Sequence, residues 1–156
     1  MAGDKTPKPA LTPALTPAPW PGVEPVAVPA LAPPGGHYSP GCRAAGLVFV
    51  SGQLPIAPDG TRLVGAPFDM QVALVLANVA AVLHAAGSGI GGLVQVRVYL
   101  DDIAHWPRFD ELYRAWAGAA RPARCVVPTG PLHFGFLIEV EAVALAPAAP
   151  ASGLAR

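Results

Sequence analysis

Lysine is almost absent from this chain of 156 residues. The only two, Lys5 and Lys8, lie among the first ten residues, and the arginines that follow are scattered rather than grouped in a basic stripe. The formal net charge is zero. Because binding to a polyanion depends on clustered phosphate contacts, this composition argues against a nucleic-acid partner.

Cysteines, metal-ligand spacings and long apolar runs are scarce as well. Cys42 and Cys125 are the only cysteines and follow no recognisable signal peptide, which predicts reduced thiols in a cytoplasmic protein. The four histidines lie far apart, so we predict no metal site. No apolar run approaches the ~20 residues that span a bilayer, and we expect no membrane partner.

Proline divides the chain into three parts. Residues 1–34 hold ten of the twenty prolines, which exclude a helix or a central strand there. We predict a disordered arm rich in proline and alanine over residues 1–22, a folded domain over residues 23–146 and a loose tail over residues 147–156. The domain is expected to begin with a short edge segment over residues 23–28.

Apolar periodicity predicts two helices. The first is expected to be capped by Asp69 and to stop at Gly87. The second has Pro107 in its first turn and a buried apolar stripe that ends at Trp116. The glycine-rich segment 87–92 follows a helix and opens a strand, so it is a helix stop and turn rather than a phosphate-binding loop.

The remaining segments predict strands. Residues 37–44 and 46–52 resemble a hairpin, residues 94–100 alternate as a strand, and two more strands follow the second helix. Two helices can cover only one face of a sheet of this size. The other face must therefore meet water or other subunits, which favours a closed cyclic oligomer.

The stretch from Arg124 to Ala144 holds the most informative polar residues. It predicts two strands joined by a loop rich in proline and glycine, with Glu139 and Glu141 in the second strand. Because strand residues alternate between faces, both carboxylates point the same way, opposite the apolar face that starts at Phe136. Half-buried carboxylates need a cation or a donor nearby, and Arg124 is the nearest candidate in sequence.

Several of these residues also have a structural interpretation. Cys125 could be a nucleophile, but a strand cysteine beside valines is more often a small core residue. Taken alone, Arg124 with Glu139 is most often a structural ion pair. Glu141 is assigned to such a structural role.

Six separated segments together resemble the Rid family, the reactive intermediate (enamine/imine) deaminases that are also called YjgF-like or L-PSP proteins. The spacing from Arg124 to Glu139 is also typical of that family. The resemblance covers about residues 23–146. The segments are GHYSPG at 36–41, LVFVSGQ at 47–53, NVAAVLHAAG at 78–87, VRVYLDD at 96–102, PAR at 122–124 and IEVEAVA at 138–144.

The resemblance implies a chorismate-mutase-like α/β (α+β) fold, in which a mixed sheet carries two helices on one face. It implies a homotrimer with a cleft at each subunit interface. It also implies an enamine/imine deaminase that hydrolyses 2-aminoacrylate-type intermediates to 2-keto acids and ammonia. Such a hydrolase requires neither a metal nor an organic cofactor.

The resemblance further assigns roles to individual residues. Arg124 is expected to grip the substrate carboxylate and Glu139 to act on a water molecule. The backbone N–H of Gly52 would bind the same carboxylate, and Tyr38 would wall the pocket. The remaining predicted substrate-binding residues are Ser51, Asp110 and Val126, the last through its backbone.

The sequence departs from the family pattern at several of these positions. Val126 stands where a cysteine or threonine is often found, and Asp110 where an asparagine is common. His133 and Phe134 occupy a loop that is usually more polar. Two alternatives therefore remain, namely a specialised metabolic enzyme that acts on a larger imine or amino acid derivative, and a non-catalytic trimer that binds a small molecule.

Overall fold

The computed structural model describes residues 20–147, so residues 1–19 of the predicted arm and 148–156 of the predicted tail lie outside the described part of the chain. Within residues 20–147 the chain forms six strands and two α-helices. The strands are β1 (Val23–Val26), β2 (Gly41–Ala44), β3 (Leu47–Gln53), β4 (Leu93–Leu100), β5 (Ala123–Pro128) and β6 (Ile138–Leu145), and the helices are α1 (Phe68–Ala85) and α2 (Trp106–Ala117).

All six strands join one mixed sheet in the order β1-β2-β3-β6-β4-β5. β4 and β5 are parallel, with α2 as the crossover between them, and the other neighbouring pairs are antiparallel. The last strand, β6, thus lies in the middle of the sheet between β3 and β4. The predicted mixed sheet with two helices is confirmed, as are the hairpin and the edge segment.

One apolar core lies between the helices and the sheet. On β6, Ile138, Val140, Ala142 and Ala144 are buried, whereas the residues between them are only partly so. This confirms the alternation that the sequence predicts. α1 is long and apolar enough, with a mean hydropathy of 1.6, to meet the length and composition criteria for a membrane span. Its packing against the sheet accounts for that hydropathy, because Val72, Val75 and Val79 are fully buried in the core.

The structure corrects two details of the sequence interpretation. Asp69 does not cap α1, because the helix begins one residue earlier, after Pro67, and the Asp69 side chain makes no cap hydrogen bond. Asp69 instead accepts hydrogen bonds from Arg108 on α2, the shortest of them 2.6 Å. Cys125 is exposed rather than a core residue. The helix stop at Gly87 is confirmed by its φ of +74°, a conformation that favours glycine.

The sheet face that the helices leave uncovered carries a polar network. Arg97 on β4 donates to Glu141 Oε1 at 2.8 Å, and the Tyr99 hydroxyl donates to the same oxygen at 3.0 Å. Arg97 also donates to the Gln95 side chain at 3.1 Å. Glu141 therefore has the structural role expected of it, although its partner is Arg97 and not Arg124.

Candidate active site

Glu139 is the second residue of β6 and lies on the sheet face turned away from the helices, opposite Tyr99 of β4. Its carboxylate reaches over the neighbouring strand to Gly52. The register of β3 against β6 shifts between Val50 and Gln53, and this irregularity brings Gly52 beneath the carboxylate. A Cβ atom at position 52 would collide with Glu139 Oε1 and would lie 3.1 Å from its Cδ. Glycine is therefore required at position 52 for Glu139 to occupy this place.

Burial raises the pKa of the Glu139 carboxyl above its ordinary value. The electrostatic interaction with His133 offsets part of that effect, and the interaction with Glu141 adds to it. Among residues 20–147 no hydrogen-bond donor to the Glu139 side chain is found, whereas Glu141 accepts from two. A half-buried carboxylate without a fixed partner, and with a raised pKa, is suited to proton transfer.

Arg124 lies on β5 and points to the opposite side of the sheet, toward α2. Its Nη2 donates to Asp110 Oδ1 at 2.7 Å. Its guanidinium carbon lies 4.7 Å from the centre of the Tyr113 ring and 5.7 Å from that of Phe109. Within the described residues, Asp110 is its only side-chain partner, so part of the planar guanidinium remains available to a ligand.

Asp110 holds Arg124 and a second arginine together. Its other oxygen, Oδ2, accepts from Arg114 Nη2 at 2.6 Å. The hydrogen bond and charge of Arg124, together with those of Arg114, hold the pKa of the Asp110 carboxyl below its ordinary value despite partial burial. Asp110 is thus an ionised counter-ion that orients Arg124.

Arg124 and Glu139 lie on opposite faces of one sheet. Arg124 is paired with Val96, a core residue on the helix side. Glu139 is paired with Tyr99, whose side chain joins the network on the uncovered side. Cross-strand partners share a face, so the two predicted catalytic side chains cannot form an ion pair within one chain.

The domain is similar in sequence to a known protein family. A family model described as endoribonuclease L-PSP matches residues 29–146. A RutC family protein of Pyrococcus horikoshii is 36% identical over 111 residues, which are 71% of this chain and 88% of that protein. This chain belongs to the YjgF/L-PSP family, also called the Rid family.

Two further relatives carry names or descriptions that mention an activity or a ligand. A chloroplast protein of Arabidopsis thaliana named Reactive Intermediate Deaminase A is 31% identical and covers 70% of this chain, which in turn covers 58% of that protein. The crystal structure of Escherichia coli TdcF with bound serine has a TM-score of 0.74 and 27% identity over 80% of this chain and 99% of that one. The resemblance that the sequence motifs indicate is confirmed, and the Rid family includes reactive intermediate deaminases.

The predicted substrate-binding residues of this Rid protein fall into two groups. Tyr38 and Gly52 line a small pocket of about 80 Å³ beside β3. Tyr38 is 56% exposed. Ser51 is adjacent to Gly52, and its hydroxyl donates to the Ser39 carbonyl at 2.7 Å, which connects β3 to the loop before β2. These residues accompany Glu139.

The second group accompanies Arg124. Asp110 and Arg124 line a larger pocket of about 380 Å³ beside α2. Val126 follows Arg124 by two residues on β5, and its side chain packs against the core, so only its backbone is available to a ligand. The structure therefore brings the seven predicted residues into two half-sites rather than one.

Two features of the site were missed from the sequence. Tyr113 falls within the predicted buried stripe of the second helix, which gives it no role at the site, yet its ring lies against the Arg124 guanidinium. Its position three residues after Asp110 on one helix is the signal that could have shown this. Phe134 has a left-handed backbone, with φ of +61°, and Arg62 lies 3.8 Å from the centre of its ring. Nothing in the sequence pattern indicates that conformation.

Proposed function

We propose that this protein is an enamine/imine deaminase that hydrolyses 2-aminoacrylate-type intermediates to 2-keto acids and ammonia. The observation that carries the proposal is Glu139, a half-buried carboxylate held over Gly52 with its pKa raised by burial. Family membership and the name of the Arabidopsis relative support it. The formal net charge of zero provides no general attraction for RNA, despite the description of the family model.

Arg124 supplies recognition of the substrate carboxylate. A guanidinium offers parallel donors to a carboxylate, and each charge-assisted bond contributes roughly 1.5 to 3 kcal/mol. Asp110 and the Tyr113 ring fix the guanidinium from one side and leave the other available. The E. coli relative binds serine, which carries a carboxylate, and this supports a small amino acid or keto acid as the ligand of this protein.

Glu139 supplies the proton transfer. The enamine tautomerises to the imine as a proton moves from nitrogen to the terminal carbon. Water then adds to the imine carbon, its proton is taken up through Glu139, and the tetrahedral carbinolamine forms. Glu139 passes that proton to the nitrogen, and the proton of the new hydroxyl group then moves to the nitrogen as well. The C–N bond breaks as the C=O bond of the keto group forms, and ammonia leaves. No electron acceptor is needed because the reaction is a hydrolysis.

The two half-sites act together if copies of the chain associate. Arg124 and Glu139 face opposite sides of their own sheet, so one substrate can touch both only in a cleft between two subunits. A closed cyclic homotrimer, the assembly typical of the Rid family, would place an Arg124 half opposite a Glu139 half at each interface.

The activity is tested by generating 2-aminoacrylate from serine with a dehydratase and following pyruvate release. We expect the protein to accelerate release, and Arg124→Ala and Glu139→Gln each to remove most of the acceleration while leaving a measurable remainder. Arg108→Gln is the matched control, since it removes one arginine from the α2 surface outside both half-sites. No acceleration by the wild type, or equal acceleration by Arg124→Ala, would rule out the deaminase.

The shared site is tested by mixing the two impaired variants. If each site takes Arg124 from one subunit and Glu139 from the next, random mixing of equal amounts restores about one quarter of the sites. If both residues came from one subunit, every site in the mixture would stay defective. Activity that does not return after unfolding and refolding the variants together would exclude the two-subunit site.

A further inference from the structure

A pocket of about 380 Å³ opens between the second half of α2 and the turn into β5. We call it the arginine pocket, because Arg114, Arg121 and Arg124 all line it, together with Asp110 and Tyr113. Pockets of roughly 300 to 1,000 Å³ are typical of small-molecule sites. The pocket is therefore large enough to hold more than the carboxylate that Arg124 is proposed to grip.

The charges of the arginine pocket are unbalanced. Three guanidinium groups face one carboxylate, that of Asp110. Both oxygens of Asp110 are already occupied, one by Arg124 at 2.7 Å and the other by Arg114 at 2.6 Å. Arg121 donates only to the backbone carbonyls of Gly118 and Ala120. The pocket thus keeps an excess of positive charge that a second anion would neutralise.

The hydroxyl of Tyr113 is a second, independent observation at the same place. Tyr113 is only 6% exposed, and its hydroxyl has no hydrogen-bond partner among residues 20–147. Burial raises the pKa of this hydroxyl, so it stays protonated and can donate. Buried polar groups nearly always have a partner, and an orphan commonly marks the place of a water or a ligand.

We propose that the arginine pocket binds a second acidic group of the substrate. The preferred substrates would then be imines and keto acids that carry a carboxylate at each end. One carboxylate would lie against Arg124, and the other would reach Arg114 and Arg121. This inference rests on the proposed function, since it takes Arg124 as the site of the first carboxylate.

The test compares two keto acids of equal chain length by isothermal titration calorimetry, 2-oxoglutarate with a second carboxylate and 2-oxopentanoate without one. We expect the wild-type protein to bind 2-oxoglutarate roughly tenfold more tightly, the change in affinity that one partly screened charge-assisted contact produces. Arg121→Gln and Arg114→Gln should each lower that selectivity ratio several-fold. Arg108→Gln, which removes a charge from α2 outside the pocket, should leave the ratio unchanged.

The outcomes separate the two proposals. Equal affinity of the wild type for both acids, or a ratio that neither arginine variant lowers, overturns the second acidic subsite and leaves the deaminase proposal intact. Failure of both acids to bind overturns both proposals, because Arg124 would then bind no carboxylate. A crystal structure with 2-oxoglutarate that places its second carboxylate away from Arg114 and Arg121 would also refute the inference.

Discussion

Replacement of Gly52 by alanine tests whether Glu139 is positioned by the glycine beneath it. The added methyl group would occupy the space in which Glu139 Oε1 now lies, and the carboxylate would have to move. Gly52 does not have a left-handed backbone, so alanine can adopt its conformation without strain. The substitution therefore displaces one functional group and leaves the chemistry of every other side chain unchanged.

The expected effects on stability and on catalysis differ in size. The atoms that collide with the new methyl group belong to the end of a flexible side chain, so folding should change by less than about 1 kcal/mol. Catalysis is much more sensitive, because a misplacement of reacting groups by about 1 Å can lower the rate roughly 100-fold. We expect a melting temperature near that of the wild type and a large loss of kcat.

A double-mutant cycle separates an effect through Glu139 from any other cause. The four proteins are the wild type, Gly52→Ala, Glu139→Gln and the double variant, assayed by pyruvate release from 2-aminoacrylate. If alanine acts by displacing Glu139, the double variant is no slower than Glu139→Gln alone. Gly91→Ala is the matched control, since a Cβ atom there meets nothing within 4 Å and the backbone is not left-handed.

Two results would refute this reasoning. Wild-type turnover by Gly52→Ala would mean that the carboxylate can act from another position, so the close approach of β3 to Glu139 has no catalytic importance. Fully additive losses in the cycle would mean that residue 52 acts on the substrate independently, as its predicted backbone contact with the carboxylate implies.

Three further predictions follow from the same geometry. The folded-state pKa of Glu139 is raised above its ordinary value of 4.5, so the ionised carboxylate lowers the free energy of unfolding. This destabilisation is absent below pH 4.5 and develops as the pH rises through the folded-state pKa. Glu139→Gln should therefore raise the melting temperature at pH 7, with a gain that disappears in acid; a gain of equal size at both pH values would contradict this. Arg124→Lys keeps the charge but loses the planar fork, so KM should rise roughly tenfold in steady-state assays, and an unchanged KM would show that a point charge suffices. Asp110→Asn removes the counter-ion of Arg124, so keto acids should bind several-fold more tightly by calorimetry, whereas weaker binding would show that the ionised carboxylate is needed to orient the arginine.

Local pattern was enough to predict most of the fold. The apolar face of β6, the stop of α1 at Gly87 and Pro107 in the first turn of α2 are all determined by residues close in sequence. Asp69 was misassigned because an acidic residue in the first turn resembles a cap, and Arg108, which lies 39 positions away, decides where its side chain points.

The arrangement of the site depends on information that local pattern does not contain. β6 is the last strand in sequence but is inserted between β3 and β4, and β5 is left at the edge. Arg124 faces the helices only because β5 pairs with β4 in a register that aligns it with Val96. Apolar residues occur on both sides of β5, so its sequence did not show which side is buried. It therefore could not show that Arg124 and Glu139 lie on opposite faces of the sheet.

The pairing of Arg124 with Asp110 has two effects on ligand binding, one that weakens it and one that strengthens it. A nearby carboxylate lowers the net attraction of the guanidinium for an anion, which should weaken substrate binding. The same hydrogen bond and the Tyr113 ring already fix the Arg124 side chain before the ligand binds. Less rotamer freedom is then lost on binding, which should strengthen it. Arg114 binds the second carboxylate oxygen of Asp110, so the negative charge of Asp110 is shared between two arginines. Asp110 therefore weakens the attraction of Arg124 for an anion less than it would in a simple ion pair. The third arginine of the pocket, Arg121, then provides positive charge that Asp110 does not neutralise.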